Sequence, residues 1–210
     1  MPTATGRRYA GRAADERRAE RRRRLLDAAT ELFGTRGYAH TTIEALYSEA
    51  RLAPRHFYEQ FAGREQLLLA AYDEVIAAVG AAVSEARLAA PVDVRDRVRT
   101  ILEAFARAML DDPRRARIAY LEVPASSRAL ERHASRVVRG FAAVVEEEAR
   151  AAAALGRLPE RDYALTAMLL VGGTNAILLD WLVDEQRRPI AEVLDELTDS
   201  FVAVLEQPRG

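Results

Sequence analysis

Apolar residues recur every three or four positions along most of the chain, the spacing that places them on one face of an α-helix. The clearest stripes begin at Leu25, Leu67, Val94, Val137 and Ile190. Ala, Leu, Arg and Glu dominate the composition and favour helix, and long alternating runs of β-branched residues are absent. The pattern therefore predicts an all-α protein of about nine helices.

Glycine and proline mark where these helices end. Gly34 and Gly37 are expected to form the C-terminal turn of a first helix that begins near Asp15. Pro91 is expected to stop a long helix that starts near Gly63. The first helix, the segment that follows it and the start of this long helix would together make one compact N-terminal unit.

The segment Thr41–Phe61, between these two helices, has the pattern of two short helices joined by a tight turn. Thr41 is a favourable N-cap, and Glu44 three residues later completes a capping box. Phe57 and Phe61 can pack inward, which leaves an outward face on the second helix that carries Arg55, His56 and Tyr58. This is the layout of a helix-turn-helix whose second helix reads DNA.

The N-terminal segment resembles the TetR family of bacterial transcription regulators (TetR/AcrR-like). The matching features are Leu25-Leu26-Asp27-Ala28-Ala29, Leu32-Phe33, Gly37, Thr41-Thr42-Ile43, Leu52-Ala53, Phe57-Tyr58-x-x-Phe61 and Arg64-Glu65-x-Leu67-Leu68. The resemblance implies a one-component repressor that binds a palindromic operator as a dimer and is released by a small-molecule ligand. It also implies an N-terminal three-helix DNA-binding domain followed by a helical ligand-binding and dimerisation domain. Two departures concern the turn: Arg51 stands where glycine is usual, and Ala53 where Ser or Thr commonly caps the reading helix.

We expect three parts in the chain: a disordered basic arm at 1–14, the helix-turn-helix domain at 15–80, and the sensing and dimerisation domain at 81–210. The first 65 residues carry 13 arginines against 9 acidic residues, whereas the remainder carries 18 against 23. A basic first third suggests a polyanionic partner. The arginines at 7, 8, 12, 17, 18 and 21–24 either contact DNA or form a solvated helix start, and the sequence leaves both interpretations open.

Individual DNA contacts can be assigned by position. Thr42 and the N-terminus of the first short helix are expected to meet a phosphate, and Arg55 a guanine base. The family resemblance implies phosphate contacts for Tyr58 and Arg64, although Tyr58 also fits a packed aromatic. The full expected set is Thr41, Thr42, Pro54, Arg55, His56, Tyr58, Gln60 and Arg64.

The resemblance further implies an inducer cavity among the middle helices. Residues that would line it are Phe105, Met109, Tyr120, Phe141, Met168 and Asn175, although each also fits plain core packing. Asn175 is the strongest of them, because an uncharged polar group in an apolar helix needs a hydrogen-bond partner.

The last two predicted helices, about 161–183 and 189–205, are expected to form a homodimer interface. The first of them is apolar around most of its circumference, more than one flank of a monomer core requires. Gly172 and Gly173 would each cost about 1 kcal/mol relative to Ala in mid-helix, which makes sense where another backbone approaches closely. Ordinary core packing is the alternative.

Other chemistry finds little support in the sequence. There is no cysteine, and His40, His56 and His133 are too scattered for a metal pair, so we expect no metal, no cofactor and no enzyme activity. The longest uncharged run, Tyr163–Leu179, has 17 residues, short of the roughly 20 that a membrane span needs, and we expect a cytoplasmic protein. Two alternatives stay open: a helical protein-interaction module without sequence-specific DNA binding, and a DNA-binding protein without a ligand.

Overall fold

The computed structural model describes residues 4–184 and 188–208, with side chains from residue 15 onward in these ranges. The regular elements of this part of the chain are all helical, which confirms the predicted fold class. They are α1 (Ala4–Thr35), α2 (Ile43–Glu49), α3 (Pro54–Tyr58), α4 (Arg64–Ala89), α5 (Val94–Leu110), α6 (Pro113–Arg117), a π-helical turn (Ile118–Glu122), α7 (Val123–Ser126), α8 (Arg128–Ala154), α9 (Ala164–Val183) and α10 (Ile190–Glu206). Since α6, the π-turn and α7 are continuous, these residues hold nine helical stretches.

The N-terminal unit packs α1, α2, α3 and the first turns of α4 around one apolar core. The core takes fully buried side chains from all four helices and from the loop after α3: Leu25, Phe33, Leu46, Phe57, Phe61, Leu67 and Leu68. A helix of five residues such as α3 has little stability in isolation. Its position is therefore determined by Phe57 and by the neighbouring helices.

The start of α2 differs from the prediction. Thr42 is the N-cap, and its Oγ1 accepts a hydrogen bond from the N–H of Ala45 at 3.2 Å. The hydroxyl of Thr41 instead donates to the carbonyl of Gly37 at 2.8 Å, and the residue is fully buried. The predicted capping box of Thr41 and Glu44 is therefore wrong. Two adjacent threonines are equally good caps by type, and only the turn after α1 decides between them.

Helix α1 also differs from the prediction, because it begins at Ala4, well before Asp15. Residues 4–14 are therefore helical where a disordered arm was expected; their Ala and Arg residues are strong helix formers, which offset the two glycines. Residues 1–3 and the side chains of Arg7, Arg8 and Arg12 lie outside the described residues.

The two glycines near the end of α1 have different roles. Gly37 has φ of +86° and makes the predicted turn. Gly34 lies inside α1, where a Cβ atom would come within 2.7 Å of the Arg114 Cα. The absence of a side chain at Gly34 is thus what lets α6 approach α1.

The C-terminal part is a bundle built on α4, which runs out of the N-terminal unit. At the near end of α8, Ser127 Oγ donates to Glu65 Oε1 at 2.9 Å, and at its far end Glu148 bonds Arg87 at 2.8 Å. Helices α4 and α8 therefore run in the same direction. Helix α10 closes the bundle over α5, where Asp195 pairs with Arg99. A second core lies between them, formed by Leu102, Leu158, Tyr163, Leu170, Leu194, Leu197 and Phe201.

Two helices, α4 and α9, are long and apolar enough to cross a membrane when judged by length and composition. Both contribute buried residues to the interior of the protein: α4 buries Leu67, Leu68 and Val79, and α9 buries Leu170 and Leu178. The core helix of a water-soluble bundle meets the same criterion.

Candidate DNA-binding surface and ligand cavity

The short helix α3 presents its polar side chains to solvent, as the sequence analysis expected. Pro54 occupies its first turn. Phe57 and Phe61 are buried with ring centroids 6.2 Å apart, so the inner side of the helix is held by the core of the N-terminal unit. Arg55 is exposed on the opposite side, and the Tyr58 side chain is 60% exposed. Both side chains are therefore accessible to a duplex.

Two other residues on or beside α3 already have protein partners. His56 Nδ1 lies 2.9 Å from Glu59 Oε2, and this hydrogen bond holds the pKa of the Glu59 carboxyl below its ordinary value. Gln60 Nε2 is 3.5 Å from the carbonyl of Arg18 on α1. Either residue would have to rearrange before it offered these atoms to DNA.

Arg64 at the start of α4 is engaged within the protein. Its Nη1 donates to the carbonyls of Thr41 at 2.7 Å and Tyr38 at 3.0 Å, and its guanidinium lies 4.4 Å from the centroid of the Tyr38 ring. Arg64 therefore fastens the loop before α2. A guanidinium has five N–H donors, so this role leaves donors for a phosphate.

The two threonines before α2 are not equivalent. Thr42 is exposed at the N-cap, where a phosphate can approach the helix N-terminus. Thr41 was also expected to contact DNA, and this expectation is wrong for its side chain, because the hydroxyl is buried and bonded to Gly37.

In the turn between α2 and α3, Arg51 takes the left-handed conformation that glycine usually takes at this position. Arg51 has φ of +53°, in the left-handed region. Its N–H donates to the Ser48 carbonyl at 3.0 Å, and the Leu52 N–H donates to the Tyr47 carbonyl at 2.9 Å. This pair of bonds is a Schellman motif, which closes a helix with a left-handed residue.

The basic stretch of α1 lies next to α3. Arg22 stacks over the Phe61 ring at 4.7 Å from its centroid. One shallow groove between the two helices is lined by Arg17, Arg21, Arg24 and His56, together with Glu16 and Glu20. Arginines of α1 therefore lie beside the exposed face that carries Arg55, with the two glutamates offsetting part of their charge.

One carboxylate joins the C-terminal part to the N-terminal unit. Glu122, in the π-turn, accepts the N–H of Tyr38 on Oε2 at 2.7 Å and the Nε of Arg117 on Oε1 at 2.9 Å. Its side chain is only 13% exposed. A second contact pairs Arg114 with Glu31 of α1 at 2.7 Å. The segment α6–π-turn thus contacts the loop that leads directly into α2.

A cavity of about 300 Å³ lies between α5, α8, α9 and α10. Its walls are mainly aliphatic and aromatic: Val94, Val98, Ile101, Leu102, Val144, Val145, Ala149, Ala152, Leu158, Val171, Phe201 and Leu205. The exposed residues Val92, Leu155 and Arg157 surround its mouth at the far end of the bundle. Its inner end lies between Phe105 and Phe141, whose rings meet edge to face at 5.7 Å.

Three of the six residues expected in the cavity line it: Phe105, Phe141 and Asn175. The other three do not. Met109 is buried in the core that continues from the N-terminal unit, and Tyr120 lies behind the wall, where its hydroxyl donates to Asn175 Oδ1 at 3.4 Å. Met168 is 36% exposed on the outer face of α9. Because α9 is apolar around its circumference, its sequence does not distinguish the inner face from the outer one.

Charged residues line the cavity only at its far end, where Arg157 is exposed at the mouth and Glu148 and Arg97 are paired. Glu148 accepts Arg97 Nε at 2.6 Å and Arg87 Nε at 2.8 Å. Burial opposes ionisation of Glu148, but the two guanidinium groups outweigh it and lower the pKa of the carboxyl. Arg87 also bonds Glu147. The cluster ties α4, α5 and α8 together beside the mouth.

The outer face of α9 carries large apolar side chains exposed to solvent. These are Leu165, Met168, Leu169, Ile177 and Val183. Gly172 and Gly173 lie in the same stripe, with no atom near the position of a Cβ. The outward side of α10 is acidic by comparison, with Glu192 and Glu196 exposed.

Residues 25–71 match the family described as bacterial regulatory proteins, tetR family. The N-terminal unit is a TetR-family domain. The match begins at the first buried leucine of α1 and extends into α4, so it contains the whole helix-turn-helix. The TetR family consists of regulators and not of enzymes.

A curated relative is described as a regulator of the helix-turn-helix type. The chain is 34% identical over 97 residues to the uncharacterized HTH-type transcriptional regulator YezE of Bacillus subtilis, a match that covers 46% of this chain and 49% of the relative. The chain thus spans about half the length of the curated relative it matches.

Solved structures share the fold over nearly the whole chain. The fatty acid degradation regulator FadR of Bacillus halodurans aligns with a TM-score of 0.76 at 16% identity, over 88% of this chain and 94% of FadR. FadR of Bacillus subtilis in complex with stearoyl-CoA aligns with a TM-score of 0.72 at 16% identity, over 86% of this chain and 97% of that one. At this identity the likeness establishes the fold, including the helical C-terminal part.

The sequence analysis missed two groups of residues that the TetR-type architecture brings together. Glu122 and Arg114 contact the N-terminal unit across about 80 residues of sequence. Arg117 bonds Glu122 beside them, and no local pattern marks the three residues. Arg97 and Glu148 form the ion pair beside the cavity. Arg97 interrupts an apolar stripe of α5, which was the one available signal.

Proposed function

We propose that this protein is a TetR-like transcriptional regulator that binds a palindromic operator as a dimer and is released by a small-molecule ligand. The observation that carries the proposal is the TetR-family domain at 25–71, in which α3 is anchored by Phe57 and exposes Arg55 and Tyr58. A regulator of this kind acts in the cytoplasm, where the chromosome lies.

The proposed DNA contacts are made by exposed residues of the helix-turn-helix and of α1. Arg55 donates to a guanine edge in the major groove, and Thr42 and Tyr58 contact phosphates on either side. Arg17 and Arg21 of α1 add charge to the same surface. Arg64 contributes to DNA binding indirectly, by holding the loop before α2, and Pro54 does so by starting α3. His56 and Gln60 can contact DNA only after they release their present hydrogen-bond partners.

The dimer is proposed to form mainly through α9. An apolar stripe that includes Leu165, Leu169 and Ile177 is costly to leave in water, and Gly172 and Gly173 allow a second helix to approach closely. Helix α10 is proposed to complete a four-helix interface. In the dimer the two α3 helices would lie about 34–36 Å apart, in successive major grooves.

The ligand is proposed to occupy the cavity between α5, α8 and α9, where Phe105, Phe141 and Asn175 would contact it. FadR of Bacillus subtilis, which shares the fold, was solved with stearoyl-CoA, a ligand with a long apolar chain. The contact between Glu122 and Tyr38 supplies a route by which a change in the sensing part reaches α2.

The experiment that tests the function is selection of bound fragments from random duplex DNA with the full-length protein. We expect a palindromic consensus whose binding weakens steeply with salt. Removal of residues 1–14, which carry Arg7, Arg8 and Arg12, is expected to reduce the slope of that salt dependence. Failure to enrich any sequence would contradict the proposal and favour a helical protein-interaction module.

A further inference from the structure

Asn175 offers hydrogen-bond donors at the inner end of the cavity. Its Oδ1 accepts the Tyr120 hydroxyl at 3.4 Å. A carboxamide also carries two N–H donors, and within the described residues these donate to no protein group. The neighbouring Thr174 does not compete, because its hydroxyl donates to the Leu170 carbonyl at 2.8 Å.

The cavity holds no unpaired charge away from its mouth. Among the described lining residues the ionisable ones are Arg97, Glu148 and Arg157. Arg97 and Glu148 neutralise each other at 2.6 Å, and the Nη2 of Arg97 also donates to the Arg87 carbonyl at 3.0 Å. Arg157 lies at the exposed rim.

These two features constrain the chemistry of the ligand. An ionised group at the inner end would lose its hydration without meeting a counter-charge, which is strongly unfavourable. A pure hydrocarbon would fill the apolar volume but leave the Asn175 N–H groups without an acceptor, which also has a cost. An uncharged acceptor such as a ketone or ester carbonyl satisfies both conditions.

We infer that the cavity binds an uncharged, mainly apolar molecule with one hydrogen-bond acceptor, which Asn175 recognises through its amide N–H groups. The inference rests on the proposed function, in which this cavity holds the effector. In this inference the apolar walls provide the affinity, and Asn175 orients the ligand and selects for its acceptor. The acceptor lies at the inner end, against Phe105 and Phe141, and the apolar part extends toward the mouth.

The test uses the full-length protein and three probes of matched chain length: 2-decanone, 1-decene and decanoate. Their dissociation constants are measured by calorimetric titration at about pH 8, where a carboxylic acid is ionised. We expect 2-decanone to bind about three- to tenfold more tightly than 1-decene, the contribution of one hydrogen bond. Decanoate is expected to bind more weakly than both.

Two substitutions separate recognition by Asn175 from the integrity of the cavity. Asn175→Leu removes the donors at similar volume, and Asn175→Asp replaces them with carboxylate oxygens. Both are expected to abolish the preference for 2-decanone, while Asn175→Leu retains the affinity for 1-decene and thereby reports an intact cavity. A preference that survives Asn175→Leu, or decanoate binding as tightly as 2-decanone, would overturn the inference.

Binding of the selected DNA is measured on the same preparation, so that the two proposals fail separately. Specific DNA binding without any binding of 2-decanone would refute the ligand class and leave the proposed function standing. Selective binding of 2-decanone without specific DNA binding would support the ligand class and refute the proposed function.

Discussion

The guanidinium of Arg24 donates a hydrogen bond to the backbone carbonyl of Arg51, 2.9 Å away. Arg24 belongs to α1 and Arg51 is the left-handed residue of the turn between α2 and α3. The contact therefore ties the turn to the first helix at the position where the backbone is most strained.

Replacement of Arg24 by alanine is expected to lower the free energy of unfolding by about 1 kcal/mol, because the Arg51 carbonyl loses its charged donor. Urea unfolding measures the change. The matched control is Arg23→Ala, which removes only an exposed pair with Glu20 and should cost less than about 0.5 kcal/mol. Equal losses in the two variants would contradict a specific role for Arg24.

Arg51→Gly should act in the opposite direction. A non-glycine residue in the left-handed region is strained by roughly 1–2 kcal/mol, and the greater freedom of glycine in the unfolded chain offsets part of this. We expect a net gain of about 0.5 kcal/mol or more in urea unfolding. Lower stability in the variant would show that the Arg51 side chain stabilises the turn more than its backbone strains it.

Arg55→Ala is expected to weaken binding to the selected operator by about 1–3 kcal/mol and to relax the preference at one base pair. The Arg139→Ala variant makes the same change of charge on an exposed part of α8 and should bind normally. The measurement is a titration against a set of single-base operator variants. A uniform loss on every sequence would assign Arg55 to a phosphate instead.

Glu122→Ala should disturb the contact between the C-terminal part and the N-terminal unit. The Tyr38 N–H loses its acceptor, at an expected cost of about 1–3 kcal/mol in urea unfolding. Glu122→Gln keeps an acceptor oxygen and should lose less. If the alanine and glutamine variants were equally stable, the hydrogen bond to Tyr38 would contribute little.

Leu169→Glu places a charge on the outer face of α9, where Leu169 is 65% exposed. We expect the proposed dimer to dissociate, because a carboxylate buried in an apolar interface has no counter-charge. Light scattering after size-exclusion chromatography measures the mass. Leu88→Glu is the control, since Leu88 is 91% exposed on α4 and away from this face. A dimeric Leu169→Glu variant would contradict the assignment of the interface.

The sequence could predict what depends on local pattern. Helix type, the inward position of Phe57 and the outward position of Arg55 and Tyr58 follow from 3.6-residue periodicity and from the short turn. The Ser127 cap of α8 follows from residue type in the same way, and the structure has it, with Oγ accepting the Leu130 N–H.

The remainder depends on contacts that are distant in sequence. Whether Thr41 or Thr42 caps α2 is decided by the turn after α1, whose Gly37 carbonyl accepts the Thr41 hydroxyl. Met168 was placed on the wrong side of α9, because a helix apolar all round has no amphipathic signal. Glu122 has an ordinary local context, and its importance comes from Tyr38, which lies 84 residues earlier.

The close approach of Arg114 to Gly34 limits how this protein can be recombined with its relatives. The C-terminal part of another regulator could be fused after α4 only if its own α6 leaves space beside residue 34. Otherwise the backbones of α1 and of the new α6 would collide. Conversely, the C-terminal part of this chain would accept a different N-terminal unit only if that unit has glycine at the same position of its first helix. In a chimeric protein the segment from α1 through α6 should therefore be exchanged as one piece. A junction placed between α1 and α6 would separate two surfaces that are complementary only to each other.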